Sequence, residues 1–367
     1  YLVQYGGAEK TLEALCELFP DAPIYTSAYN PKNMSDLINS KTICTSKSLN
    51  GLFNAIPILS SYFTFLKPLV FEGFDLSEYD IIISDSSAYA KGVLTKPNQL
   101  HISYIHTPPR FMYKYSVEST KRTAWYYNPV VTVVDHFLRI WDYMAAQRPD
   151  FLIANSKEIQ KRIKKFYRRD STVIYPPVEL ADSSVSLDHR LEDYYLLGGR
   201  LVAYKNFDKV IMAFNKLPKL KLKVYSTGPE EKNLKRIAGP NIEFVGKVSE
   251  ARKHDLMRNC LGLINSVRDE DFGIVPLEVI SHGRPVLAHR SAGHLETVVE
   301  GISGMYFDSF EIDDLVESIK QFHMAIDKKT FDPYKIRATA QKFSKDDFKK
   351  NMYDFVMSHW QNSNEKN

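Results

Sequence analysis

A chain of 367 residues, 44% hydrophobic and 25% charged, has the composition of a soluble globular protein and is long enough for two domains with sizeable cores. Its net charge of +4 argues against a dedicated nucleic-acid binder, whose affinity rests on a concentrated basic surface. Three widely spaced cysteines, Cys16, Cys44 and Cys260, are odd in number and read as buried thiols of a reducing compartment, not as a disulfide or metal framework. No signal peptide is visible, and the uncharged stretch Gly51 to Leu66 is 16 residues broken by Pro57, short of a membrane-spanning helix, so a cytoplasmic protein is expected.

The chain goes almost at once into Tyr5-Gly6-Gly7-Ala8-Glu9, a glycine turn of the kind that follows a strand, so a first strand is expected upstream of Tyr1. Ala8 to Phe19 then carries Ala8, Leu12 and Leu15 on one face of a helix. Gly6 and Gly7 thus lie at a helix N-terminus, which suits a phosphate but equally a plain turn. Apolar strands follow at Pro23 to Thr26, Thr42 to Thr45, Tyr79 to Ser84, His101 to His106 and Asp150 to Ala154, alternating with helical segments, and Ser171 to Val178 reads as a last strand with a Pro-Pro exit. The alternation predicts a doubly wound α/β sheet, whose ligands sit beyond the carboxyl ends of the strands. Ser84 to Ser87 and His106-Thr107-Pro108-Pro109-Arg110 occupy such ends.

Two stretches in this half allow competing readings. Leu52 to Phe74 is rich in aromatic and aliphatic residues and reads as core, or as an apolar acceptor groove or lipid-facing surface. Lys157 to Arg169 holds seven basic residues within thirteen, either a solvated helix face or a contact with anionic membrane.

Glu179 to Glu192 is polar and weakly periodic, which places a domain boundary after Val178. A second set of strands follows at Tyr194 to Leu197, Leu222 to Ser226, Ile242 to Val245, Cys260 to Asn265, Pro285 to His289 and Gly304 to Phe307. The expected organisation is an α/β protein of two Rossmann-like doubly wound domains facing a cleft, residues 1–178 and 179–343, with a terminal helix over 344–367 and a polar tail from Gln361.

The most informative stretch runs from Arg268 to Ala288. Glu270 lies on a loop beyond a strand, and Phe272-Gly273-Ile274-Val275 leads into a helix opened by Pro276, where glycine lets the backbone approach a ligand and free N–H groups suit an anion. Glu278 follows about one turn in, at the capping-box position if Pro276 is the first helical residue, although Val275 would be a poor cap. On residue type alone, Glu278 is a helix-dipole carboxylate and Glu270 a solvated loop acid; alternatively the pair reaches the hydroxyls of a sugar-phosphate ligand.

With Phe272-Gly273 and Pro276 inside the Glu270–Glu278 interval and Gly283-Arg284-Pro285-Val286 after it, the stretch resembles the signature of retaining family 4 glycosyltransferases. Gly198-Gly199-Arg200-Leu201, with Lys205-Asn206 a few residues on, is similar to that family's diphosphate clamp, and His106-Thr107-Pro108-Pro109-Arg110 to a subgroup that includes O-antigen mannosyltransferases. The resemblance implies the GT-B architecture, with the terminal helix crossing back to the first domain. It implies Glu270 and His106 by the donor sugar and Arg200 and Lys205 on the diphosphate, as the catalytic set. Gly6, Gly7, Gly199, Ser226, Gly228, Lys247, Val248, Asp271, Phe272, Gly273, Ile274 and Val275 would line the donor, and Glu278 would hold its ribose.

The activity so implied is retaining hexosyl transfer without a metal, from GDP-mannose to a lipid-linked surface glycan at the inner face of the membrane. No further cofactor is implied. A UDP-sugar donor, a sugar-nucleotide epimerase of the same fold and a non-enzymatic carbohydrate- or membrane-binding protein stay open. A dinucleotide dehydrogenase is disfavoured, since neither Gly-Gly pair continues into a GxGxxG turn.

Overall fold

A computed structural model of the chain describes residues 1–45, 66–113 and 128–364. The described residues divide into two compact units, one of residues 1–45, 66–113, 128–177 and 345–364 and the other of Val178–Ser344.

In the first unit β1 (Ile24–Thr26) pairs in parallel with β2 (Ile43–Thr45), and β3 (Ile81–Ser86), β4 (Leu100–Ile105), β5 (Phe151–Ala154) and β6 (Thr172–Val173) form a parallel sheet in that order. The strands expected of one sheet thus fall into two sheets among the described residues. β3 runs two residues beyond the expected Ser84, which lies inside the strand with its Oγ 3.0 Å from the buried His101 Nε2. The last strand is only the two residues of β6.

The helices of this unit are α1 (Gly7–Leu18), α2 (Asp36–Asn39), α3 (Lys67–Glu72), α4 (Arg110–Tyr113), α5 (Asn128–Ala145) and α6 (Lys157–Tyr167). Every residue of the central strand β4 is buried, because both its faces are covered. One core cluster joins Ile102 and Tyr104 of β4 to Ala14 and Leu15 of α1 and to Phe348, Met352 and Val356 of the C-terminal helix, Lys345–Asn364. The buried Tyr104 hydroxyl donates to Ile174 O at 2.9 Å, which satisfies an otherwise costly polar group. The helix extends through Asn364, so the tail expected from Gln361 is helical over its first four residues.

Leu52 to Phe65, the apolar stretch with competing readings, lies outside the described residues. Its remainder packs as core through Val70 and Phe71. Cys16 and Cys260 are buried, whereas Cys44 is only half-buried, against the expectation that all three are core thiols. Among the described residues no helix is long and apolar enough to cross a membrane.

The second unit is built on β7 (Tyr195–Gly198), β8 (Leu222–Tyr225), β9 (Ile242–Gly246), β10 (Gly262–Asn265), β11 (Val286–His289) and β12 (Gly304–Phe307). These form one six-stranded sheet, all parallel, in the order β12-β11-β10-β7-β8-β9. The connecting helices are α7 (Phe207–Asn215), α8 (Glu231–Ile237), α9 (Glu250–Asn259), α10 (Ile274–Ser281), α11 (His294–Thr297), α12 (Ile312–Asp327) and α13 (Pro333–Ala340). Chain order reverses direction between β7 and β10, so the loops leaving these neighbouring strands diverge and open a crevice at their carboxyl ends. Residues 179–192, read as a polar boundary, are packed onto this unit: Arg337 donates to Ser183 O at 3.1 Å and Val185 O at 2.9 Å, and Leu187 is buried.

Candidate active site

The loop after β7 starts at Gly199 with φ +111°, a conformation open to glycine, and a Cβ there would lie 2.8 Å from Lys205 Nζ. The missing side chain therefore makes the space that the Lys205 ammonium occupies. A 3-10 turn, Ala203–Lys205, and a left-handed Asn206 (φ 54°) bring the loop back into α7. Arg200 is exposed on this loop and Lys205 half-buried.

This loop is bound to its neighbours on both sides. Leu201 N donates to Thr227 O and Glu230 N to Leu201 O, each at 3.0 Å, while Gly228 packs against the Leu201 backbone so closely that a Cβ would overlap it. On the β10 side, Ser266 Oγ donates to Lys205 O at 2.7 Å and Asn206 Nδ2 to Ser266 O at 3.2 Å. The loops of β7, β8 and β10 are thereby one hydrogen-bonded floor at the carboxyl edge of the sheet.

Beyond β10 the half-buried Glu270 accepts from Gly293 N at 2.9 Å through its backbone carbonyl, which leaves its carboxylate for other work. Gly293 lies so close to Phe272 that any side chain there would meet the Phe272 backbone. Gly273, at φ +104°, is the N-cap of α10. The helix thus opens at Ile274, not at Pro276 as expected, because the glycine turns the chain two residues earlier and a proline within the first turn forfeits no intrahelical bond. The N–H groups of Ile274 and Val275 have no intrahelical acceptor, as any first-turn donors.

That correction removes the capping-box reading of Glu278, which is the fifth helical residue and only 3% exposed. Its Oε1 instead takes a hydrogen bond from Lys253 Nζ of α9 at 3.0 Å, and the same ammonium lies 2.5 Å from Glu250 Oε2. Beside them the Tyr225 hydroxyl is buried without a hydrogen-bond partner among the described residues, and burial, then the Glu278 and Glu250 carboxylates, push its pKa well above the usual phenol value. Ser226 (φ 86°) follows β8 and Gly246 (φ 79°) ends β9, its neighbour, and the two are linked by Ser226 N donating to Gly246 O at 2.7 Å. Lys247 is exposed and Val248 half-buried on the following loop, which Ser249 closes by capping α9. Among the described residues Glu179, Glu250 and His254 offer possible metal-ligand atoms within 4.8 Å of one another, although Lys253 already engages Glu250.

In the first unit, His106 and Asp85 stand at the ends of neighbouring strands β4 and β3, with Nε2 and Oδ1 2.5 Å apart. His106 N donates to Ser86 O at 3.0 Å. Gly6 is the N-cap of α1 and Gly7 its first residue. Gly6 is extended and has room for a Cβ, so the turn itself does not require glycine there. Glu9, one turn in, has its carboxyl pKa raised by burial first and also by Asp85.

Comparison with known proteins bears on this arrangement. The Glycosyl transferases group 1 family matches residues 187–326, which hold the β7 and β10 loops and α10. That match, with the parallel α/β architecture, supports a family 4-like glycosyltransferase of the GT-B fold. The α-1,3/1,6-mannosyltransferase ALG2 of Mus musculus is 22% identical to the transferase over 96% of this chain and 93% of its own length, and that of Schizosaccharomyces pombe 24% over 82% and 68%. An uncharacterized glycosyltransferase, MJ1178 of Methanocaldococcus jannaschii, is 27% identical over 48% of this chain and 50% of its own. Among solved structures, Anabaena Alr3699/HepE with UDP and glucose superposes with a TM-score of 0.66 at 17% identity, covering 97% of this chain and 98% of that one. The lipopolysaccharide galactosyltransferase WaaB gives 0.64 at 17%, covering 98% and 97%.

Two side chains that the transferase places at this site were not singled out from sequence. Lys253 turns inward from a largely polar helix toward a partner 25 residues away, so no local pattern marks it. His294 is fully buried beside Gly273, with Nδ1 2.9 Å from the His289 carbonyl; a carbonyl only accepts, so Nδ1 carries the proton. Burial lowers its pKa first, opposed by Glu270 and the His289 carbonyl and reinforced by Lys205, so the ring is neutral and Nε2 is an acceptor with no partner among the described residues. A lone histidine after Ser291-Ala292-Gly293 gives no sequence signal for this.

Gly199→Ala tests the loop directly. The new methyl forces a side chain into φ +111° and presses on Lys205 Nζ, so we expect a stability loss of about 1–3 kcal/mol and a fall in turnover of at least about tenfold. Urea unfolding and initial rates measure the two; a variant with wild-type values for both would show that Lys205 does not need this space.

Proposed function

We propose that the transferase moves mannose from GDP-mannose to a lipid-linked glycan acceptor with retention at the anomeric carbon and without a metal ion. The observation that carries this reading is the convergence of Arg200, Lys205 and Glu270 on the two loops flanking the β7–β10 reversal, where an open α/β sheet receives its ligand. The mannose assignment draws on His106-Thr107-Pro108-Pro109-Arg110 and on the mannosyltransferase relatives.

Departure of the nucleoside diphosphate builds negative charge on its oxygens and positive charge on the sugar ring. Arg200 and Lys205, with the α10 N-terminus at Gly273 to Val275, meet the first, replacing a divalent ion by fixed cations and amide dipoles. Glu270 holds sugar hydroxyls and favours the oxocarbenium-like ring, and Asp271 and Phe272 flank the donor. Glu278, oriented by Lys253, takes the ribose, while Ser226, Gly228, Lys247 and Val248 sit under the nucleotide. With retention, a departing phosphate oxygen accepts the acceptor hydroxyl's proton on the same face as attack. We assign His106, oriented by Asp85, to the sugar and the Gly6-Gly7 turn to the diphosphate. The site of action is the cytoplasmic face of a membrane.

A second reading replaces GDP-mannose by a UDP-sugar, favoured by the UDP found in the HepE structures of similar fold. Thermal unfolding with GDP, UDP, ADP and their sugar conjugates decides between them. A ligand that binds only the folded state stabilises it by about 2.7 kcal/mol at one hundred times its dissociation constant. We expect GDP and GDP-mannose alone to raise the midpoint. A shift confined to UDP species would overturn the donor assignment, and a shift with no nucleotide would overturn the diphosphate site itself.

A further inference from the structure

We propose that the outward face of α5, together with the cations at the end of α6, docks the first domain on an anionic lipid surface. Val133, Phe137, Ile140 and Met144 are 57%, 65%, 51% and 56% exposed, and their spacing of four, three and four residues makes them one stripe along the helix. Tyr143 adds a further ring, 40% exposed. The exposed positions of α5 from Thr132 to Met144 (Thr132, Val133, His136, Phe137, Ile140, Tyr143 and Met144) carry no acidic or basic side chain apart from the histidine. The opposite side is held in the domain: Leu138 is core, and the buried Asp142 pairs with Lys91 and accepts from the Tyr113 hydroxyl at 2.9 Å. The stripe is therefore the outer face of a firmly seated helix, where apolar area of this extent marks an interaction site.

The chemistry of what covers it follows from the neighbouring helix. The ends of α5 and α6 are tied together by Gln147 Nε2 donating to Tyr167 O and Arg169 Nη1 to Ala146 O, both at 3.1 Å. Within about a turn of that junction stand Tyr143 and Met144 on one helix and the exposed Lys164, Lys165 and Arg168 on the other. Among the described residues Asp170 opposes these cations, through an exposed contact to Lys164. Of the other basic residues in the run, Arg162 is buried against Glu158 and Arg169 is spent on backbone carbonyls. An occupant must combine apolar depth with negative charge at the edge. A second copy meeting this face with its own sets the same cations against each other, whereas a bilayer rich in acidic headgroups offers apolar depth and negative charge at once.

The inference deepens the lipid-linked acceptor of the proposed function and rests on that reading for its purpose, but vesicle binding tests it without any acceptor or nucleotide. The full chain is sedimented with vesicles of phosphatidylcholine alone and of phosphatidylcholine mixed with phosphatidylserine, at about 0.1 M and 1 M salt. Wild type should bind the mixed vesicles at low salt only. F137S/I140S and K164E/K165E/R168E should each weaken that binding at least about tenfold, with unchanged thermal midpoints since all five side chains are on the surface. Absence of wild-type binding, or binding unaffected by F137S/I140S, overturns the proposal. So does a wild-type dimer in sedimentation equilibrium that F137S/I140S converts to monomer, because the face would then be a contact between copies. Loss of nucleotide-dependent activity with vesicle binding intact would instead strike the proposed function alone.

Discussion

Alanine in place of Lys205 or Glu270 is expected to lower turnover by about two to three orders of magnitude while the protein stays folded. Both side chains are half-buried at the site, and each is attached to the scaffold by its backbone: Ser266 Oγ donates to Lys205 O, and Gly293 N to Glu270 O. Alanine preserves both hydrogen bonds and removes only the charged end. On the proposed mechanism, what is lost is preorganised charge facing the charge that develops on the diphosphate or on the ring, commonly about 2.7–4 kcal/mol of transition-state stabilisation for one donor removed. For Lys205→Ala the effect should fall mainly on kcat, since the leaving group carries its greatest charge in the transition state. Steady-state rates beside a thermal melt read both parts. A rate within a few-fold of wild type, with an unchanged melt, would remove the residue from the catalytic set.

Lys253→Met should cost about 3–5 kcal/mol of stability, the usual result of removing one member of a buried ion pair. The Lys253 side chain is 11% exposed and that of Glu278 4%, so water cannot replace the lost ammonium at short range. Replacing both, as Lys253→Met with Glu278→Leu, should recover much of that loss, because well-packed apolar residues often match or exceed a buried pair in stability. The same double variant should still lose nucleotide affinity if Glu278 holds the ribose. Urea denaturation followed by fluorescence gives the free energies. A single-variant loss below about 1 kcal/mol, the range of surface pairs, would mean that Glu278 is not held in a dry environment.

The β-strands were the most legible part of the chain. Expected Gly304 to Phe307 is β12 residue for residue, and Cys260 to Asn265 shortens only to Gly262–Asn265, because short apolar runs bounded by turn residues mark strands, fully buried in β10 and partly so in the edge strand β12. Strand partnership was not legible: that β2 pairs with β1 and β3 with β4, in separate sheets, depends on long-range packing that no local pattern carries. At α10 a local rule misled, since proline's preference for the first helical position was outweighed by Gly273 turning the chain at φ +104°. Loop cations and carboxylates were readable because their spacing is short. Lys253 and His294 were not, because their positions depend on burial beside residues distant in sequence.

The C-terminal helix sets the order in which the protein can be completed. Phe348, Met352 and Val356 close the core against Ile102 and Tyr104, yet 167 residues, Val178 to Ser344, separate the first unit's main segment from this helix. On a ribosome residues 1–177 emerge first but lack one wall of their core until the Lys345–Asn364 helix is made, and the second unit, contiguous in sequence over its described residues, can reach its final fold earlier. The half begun first is finished last, and through the interval its unfinished apolar face is the part of the nascent chain most exposed to aggregation or chaperone capture.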